Sequence, residues 1–341
     1  MVTVLNTSYY NREVGGENVQ AINIAMKDFE INVRTKKFQI VIALFAMISL
    51  GMVYSSKKLG VSASLYKTPF QMLFLSGFSN AFNYSIALLS ILLGATAISE
   101  EVEKRTLRLV ASKPVYKDEI LFGKLLGGLL TLSVAFALFY ILTLAFALIL
   151  GVPITPHDLG MFLITFPFSV LYGLVFLALG LLISTSIKRS KNAIIMAIFM
   201  FAFFSFLLSM IAGIVAFAVA GLPPIPDLPE NAANLSEEEL QEIFLKDPGY
   251  QEWLSEVAST TEKILYVSPN YHYQEIIRMF FGGKPQISEI VSAFVYNQSI
   301  VEDRSIEESL SLTWRNLVVL VVMFLLPFAL AYVRFMKADL R

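Results

Sequence analysis

Apolar residues fill six long stretches of this chain, and the charged residues gather in short blocks between them. Asp, Glu, Lys and Arg are absent from 38–56, 68–99, 125–157, 159–187, 192–226 and 316–333, runs of 19, 32, 33, 29, 35 and 18 residues. About 20 apolar helical residues cross the hydrocarbon core of a bilayer, so each run is long enough to span it. Strands are excluded, because an open sheet leaves edges unsatisfied in lipid and these runs lack the alternation of a barrel. The pattern predicts helices near 38–55, 80–98, 125–150, 160–186, 192–219 and 316–334, an all-α polytopic membrane fold of six spans. Residues 68–79 are apolar but surplus to the second span; they are expected at the outer interface or as a re-entrant piece.

Two polar segments carry patterns of their own. Between 18 and 37, Val19, Ile22, Met26, Phe29 and Val33 recur at helical spacing beside Lys27, Arg34, Lys36 and Lys37. An amphipathic helix in the membrane interface fits that stripe, as does a helix packed on a partner's soluble surface. Residues 221–315 open with Pro223, Pro224, Pro226 and Pro229, which stop the fifth span. Capping-box starts at Ser236 to Glu239 and Ser305 to Glu308, a turn at Asp247-Pro248-Gly249 and an apolar run ending at Gly282-Gly283 predict a mainly helical outer insertion. Sixteen acids against five bases in that insertion, before Arg315, fit either cation binding or a solvated, repelling surface.

Composition agrees: 56% of the 341 residues are apolar and 16% charged, against about 45–50% and 25% in soluble domains. The distribution of Lys and Arg sets the orientation. Seventeen fall in 1–37, 99–124, 187–191 and 334–341, and eight on the opposite side. Both termini are therefore expected in the cytoplasm of a multi-pass cell-membrane protein. The expected organisation is a cytoplasmic N-terminus with the interface helix (1–37), spans one to five (38–220), an extracellular helical insertion (221–315), and the sixth span with a cytoplasmic C-terminus (316–341). The polar first 37 residues lack the apolar core of a cleavable signal, so the first span is expected to be retained.

Several chemistries lose support. With no cysteine there is no thiol nucleophile or thiolate metal site. His157 and His272 are the only histidines, each expected to be a surface residue. No basic face suits nucleic acid. The spans contain no ionisable acid or base of the kind that drives proton-coupled carriers. A phosphate-binding GxxxxGK[ST] loop is missing: Gly123-Lys124 is followed by Leu and Gly283-Lys284 by Pro. If ATP drives this protein, another polypeptide binds it.

The loop from Ile98 to Lys124 carries eleven charges, five acidic and six basic. A simple helix–helix connection needs about 2–8 residues. Its length and alternating charge suggest a docking surface, with a solvated loop as the alternative. Reversing Glu101 and Glu103, outside the bilayer, is expected to cost little fold stability. Gly123, Gly127 and Gly128, at the start of span three, either permit close helix packing or face lipid.

This loop resembles the signature of type-2 ABC transporter permeases, roughly E-x-E-x-G-T-L…S-x-P-V…G-K. The matching residues are Glu101, Glu103, Thr106, Leu107, Ser112, Pro114, Val115, Gly123 and Lys124, with Arg105 where the family has Gly. The stretch 179–190 resembles the family's fourth-span exit, Ser268-Pro269 its Ser-Pro pair before the last span, and Phe335 to Leu340 its C-terminal ending. The resemblance implies that 18–37 is the connecting helix and 99–120 the main coupling helix, with a second contact at 186–190. It assigns ATPase coupling to Glu101, Glu103, Lys104, Arg105, Thr106, Leu107, Pro114, Gly123, Lys124, Ser186, Lys188 and Arg189. It implies a separate ABC ATPase carrying ATP and Mg, a second permease copy or homologous permease in the bilayer, and export as the usual direction. The EAA loop of importer permeases is not found. A secondary carrier or channel, and a membrane protein whose outer loop binds a partner, are the alternatives.

Overall fold

The computed structural model describes residues 18–59, 68–75, 79–105, 116–229, 235–282 and 304–338. Among them there are helices and no strands, and six helical rods are long and apolar enough to cross a membrane. After α1 (Asn18–Arg34), the first is α2 (Lys36–Leu59). The second is α4 (Ser79–Ala97), continued after a bend at Ile98 by α5 (Ser99–Glu103). The third and fourth are α6 (Lys117–Leu150) and α7 (Pro156–Ser186). The fifth runs as α8 (Ser190–Ala202), one wide π turn (Phe203–Leu207) and α9 (Leu208–Ala220). The sixth is α13 (Ile306–Lys337). Every predicted span is present; α6 begins eight residues early because its charged first turns are helical too.

The fourth span forms the middle of the bundle. It packs against α4, α6, α13 and α12 (Pro269–Phe280), and its apolar stretch is 56% buried, against 17% for the fifth span. Between α2, α4, α6 and α7 the core is aromatic. Phe82 stacks on Phe139 at 3.7 Å and Tyr140 on Phe162 at 4.4 Å, while Phe45 meets Phe82 and Phe139 edge-on. Buried hydroxyls pair inside this core. Ser49 donates to Thr143 at 2.9 Å, and the Tyr140 hydroxyl lies 2.9 Å from both Thr165 and Ser169. Such pairing is what a polar group inside a bilayer requires.

Residues 69–75 form the short helix α3 (Pro69–Leu75), laid across the bundle end where α2 finishes and α7 begins. Thr68 donates to Asp158 at 3.2 Å, and Ser56 donates to the Pro69 carbonyl. The insertion supplies α10 (Glu237–Lys246) and α11 (Pro248–Leu265), both started by side-chain caps at Ser236 and Asp247. Running back along α9, α11 has Trp253 donate to the Gly221 carbonyl at 3.0 Å, and the chain after it, at the start of α12, reaches the π turn. There the Phe204 carbonyl accepts from Ser268 at 3.4 Å.

Much of α12 is packed among the spans. Tyr273 stacks on Tyr172 at 4.4 Å and shares a 2.7 Å hydrogen bond with Ser169. Ser169 lies thirteen residues into α7, about 20 Å along it. His272 is therefore not the surface residue expected from base rates. It is fully buried, with Nε2 donating to the Tyr266 carbonyl at 2.7 Å and Nδ1 2.8 Å from the Asn316 amide.

Candidate functional site

Two connections far apart in sequence, α5 after α4 and the α7–α8 turn, meet at one end of the bundle. Ile98 offers no side-chain cap to α5. Instead the Ser184 hydroxyl, two residues before the end of α7, accepts from the N–H groups of Ile98 and Ser99 at 2.9 and 2.8 Å. In return, Glu103 accepts from the Ser190 N–H at 3.0 Å, at the start of α8, where Arg189 supplies no cap. A carboxylate there also meets the positive end of the helix dipole.

The second feature is an ion cluster that joins three elements. The Lys124 ammonium of α6, 5% exposed, lies 2.5 Å from Glu101 of α5 and 2.8 Å from Asp28 of α1. One buried cation thus holds two carboxylates. Burial raises the Asp28 carboxyl above its ordinary value; the Lys124 charge opposes the rise and Glu101 adds to it. Glu101 is consequently part of a largely enclosed ion pair, so its reversal removes an internal contact and is not the cheap surface change expected from sequence.

Close helix approach makes this cluster possible. A Cβ on Gly123 would stand 2.7 Å from the Ile24 side chain, one on Gly127 3.0 Å from the Ala25 carbonyl, and one on Gly128 2.8 Å from Leu177. Of the two readings left open for these glycines, close packing is the one realised. The face that α1 turns to α6 is Ala21, Ile24, Ala25 and Asp28, while Ile22 and Met26 of its apolar stripe stay 53% exposed.

The remaining assigned residues sit around this core. Lys104 pairs with Glu100 at 2.7 Å on the surface, and the exposed Lys188 and Arg189 lie at the α7–α8 turn. Ser186 donates back to the Leu182 carbonyl of its own helix at 2.7 Å. Arg105 has φ +59°, the only positive φ of a non-glycine residue among the described residues. A glycine adopts that conformation without strain, so Arg105 keeps the backbone bend that the family's Gly would serve. Thr106, Leu107 and Pro114 lie outside the described residues.

Three contributors were missed: Asp28, Ser184 and Lys117. Lys117 donates to the carbonyls of Met336 and Ala338 at 3.1 and 2.6 Å, fastening the end of α13 to the start of α6. Each acts across 85 or more residues of chain, which periodicity cannot connect; their polar type next to an apolar run was the available signal.

Six apolar spans, with two polar connections interlocked at one end, define an integral membrane protein. The sequence matches the profile described as ABC-2 family transporter protein over residues 22–340, so the chain belongs to that family. Over 178 residues it is also 28% identical to the "Probable ABC transporter permease protein NosY" of Stutzerimonas stutzeri. The match takes in 51% of this chain and 62% of that protein, so less than two thirds of the relative's length is spanned.

Proposed function

We propose that the chain is the permease subunit of an ATP-driven exporter, with ATP and Mg held on a separate ABC ATPase. Both termini, 99–124 and 187–191 face the cytoplasm, and a second copy or homologous permease completes the transmembrane unit. The observation that carries this reading is the interlock of α5 with the α7–α8 turn through Glu103 and Ser184. A push on either connection reaches α4, α7 and α8 together, and through Lys124 it reaches α1 and α6. Rigid rods tied in this way move as bodies between two states, which is what nucleotide-driven closure of a partner would bias.

Lys104, Arg105, Lys188 and Arg189 are exposed at this end and present a basic face to an acidic or polar groove on the ATPase. Like-charge juxtaposition at such a surface costs several kcal/mol. The test is the double substitution Lys188→Glu with Arg189→Glu, read as ATPase subunit retained on the purified permease. Retention should fall at least about tenfold, while Glu252→Lys on α11 leaves it unchanged. Full retention in the double variant would remove the docking assignment. Failure of the unmodified chain to hold any ABC ATPase would favour the carrier reading.

A further inference from the structure

The fifth span is divided by its wide turn into halves with different neighbours. Its first half, α8, packs on α4, α5 and α7 of the bundle. Its second half, α9, packs on α11 of the insertion and makes no comparable contact with the other spans among the described residues. Leu208, Ala212 and Ala216 are the buried residues of α9, spaced four apart on one face, while Met210, Ile214 and Phe217 stay more than half exposed. Trp253 ties α11 to the end of α9 through the Gly221 carbonyl and packs edge-on against Phe217 at 5.4 Å. The α9–α11 pair is thus an arm, joined to the bundle at Phe203–Leu207 and through the chain that leads into α12.

Irregular turns in long helices often trace to Pro or Gly, yet neither residue occurs between Ser190 and Ala212. The local sequence is therefore able to continue as a regular α-helix. One polar atom at the turn is better served by that alternative. Helical hydroxyls elsewhere in the bundle donate to the carbonyl four residues back: Ser90 to Ile86 at 2.7 Å, Thr131 to Gly127 at 2.8 Å and Thr143 to Phe139 at 2.9 Å. For Ser205 the corresponding acceptor is the Phe201 carbonyl, and that bond is not made. Its hydroxyl is buried, with the residue 2% exposed, and has no partner among the described residues. A buried polar group left without its hydrogen bond is costly. The wide turn has a compensation of its own. The Phe204 carbonyl accepts from the Ser268 hydroxyl at 3.4 Å, and the Ser268 side chain caps nothing at the start of α12. One hydroxyl thus favours the regular turn and another favours the wide one.

We propose that Phe203–Leu207 is a hinge that exchanges between this π turn and a regular α-helical turn, and that α9 and α11 swing on it as one body. A π turn holds one residue more than an α turn. Absorbing that residue carries α9 about 1.5 Å along the span axis and turns it by about 100°. The motion breaks and remakes the contact of Phe206 with Tyr84 of α4, whose rings lie 4.8 Å apart, so the flank between α4 and the fifth span is where the bundle changes. The hinge gives this end of the bundle two states of its own, as bistable elements do in switching proteins. It is a property of the permease alone, so it is independent of the ATP-driven reading.

The experiment places pairs of spin labels on the full chain, diluted into unlabelled chain so that distances within one copy dominate. Cysteines at His157, exposed at the start of α7, and Glu256, exposed on α11, span bundle and arm. Double electron–electron resonance should give two distances for this pair, the one that matches the present structure belonging to the wide turn. Val219 with Glu256, both on the arm, should give a single distance. Ser205→Ala removes the hydroxyl that the regular turn would satisfy and should raise the ratio of wide to regular turn about fivefold. Ser268→Ala removes the bond to the Phe204 carbonyl and should lower that ratio. Deleting Ser205 takes out the extra residue while keeping α9 in phase, and should leave one distance. A single His157–Glu256 distance that neither substitution moves, shifts of the same sign in both, or two distances within the arm would each overturn the proposal.

Discussion

Gly94 and Gly180 meet backbone to backbone where α4 crosses α7. A Cβ on Gly94 would stand 2.3 Å from the Leu177 carbonyl oxygen, and one on Gly180 2.4 Å from that of Ile91. One helical turn beyond each lie Ile98 and Ser184, the residues that join α5 to α7. The crossing therefore sets the register of the interlock. Gly94→Ala or Gly180→Ala must push two backbones apart, and overpacking of this kind costs about 1–3 kcal/mol. Both variants should show a lower thermal midpoint by fluorescence-detected size exclusion. Gly51→Ala, where a Cβ meets nothing within 4 Å, should not.

At Arg105 the expected gain comes from the backbone. Left-handed φ costs an L-residue about 1–2 kcal/mol, partly offset in glycine by about 0.5–1 kcal/mol of extra unfolded-state entropy. Arg105→Gly should equal or exceed the unmodified chain in thermal midpoint, and Arg105→Val, β-branched, should fall below both. A Val variant as stable as the Gly variant would show that no left-handed conformation is held at this position.

The six spans were legible in the sequence because bilayer crossing depends on local apolar length, which a single run reveals. The pairing of Glu101 with Lys124 was not, although both residues were singled out, because sequence spacing does not say which charges a fold encloses. His272 misled for a related reason. Its segment reads as outer and acidic, while burial comes from α12 packing on Tyr172 and Asn316, supplied by two different spans. The stripe on α1 was read correctly as apolar, but the helix docks through alanines that face glycines. Small residues give almost no hydropathy signal.

Removing the Lys124 ammonium leaves Asp28 and Glu101 facing one another without a cation. Breaking a buried pair from one side costs about 3–5 kcal/mol, whereas replacing all the charges by neutral groups can be close to neutral. Lys124→Met should therefore destabilise the permease strongly. Adding Asp28→Asn and Glu101→Gln to it should recover most of the loss in thermal midpoint. If the triple variant is no more stable than Lys124→Met, the cluster is not what holds α1 and α5 to α6.

The proposed orientation predicts that single cysteines at Lys113 and Glu252 label from opposite sides of the membrane. The chain has no native cysteine, so each introduced thiol reports alone. Position 113 should react from the cytoplasm and position 252, on α11 beside the outer end of α9, from outside. Labelling of both from one side would reverse or redraw the topology read from Lys and Arg.

Asp28 makes the cluster sensitive to pH with a definite sign. Burial raises its carboxyl above 3.8 in the folded chain despite the pull of Lys124. Between the unfolded value and the raised one, the folded state binds more protons, so stability falls as pH rises through the folded pKa. Asn at this position resembles the protonated acid at every pH. The unmodified chain and Asp28→Asn should have similar thermal midpoints at about pH 4, and the variant should move ahead as pH approaches neutrality. If the unmodified chain gains on the variant over that range, the attraction of Lys124 outweighs burial and Asp28 is held ionised instead.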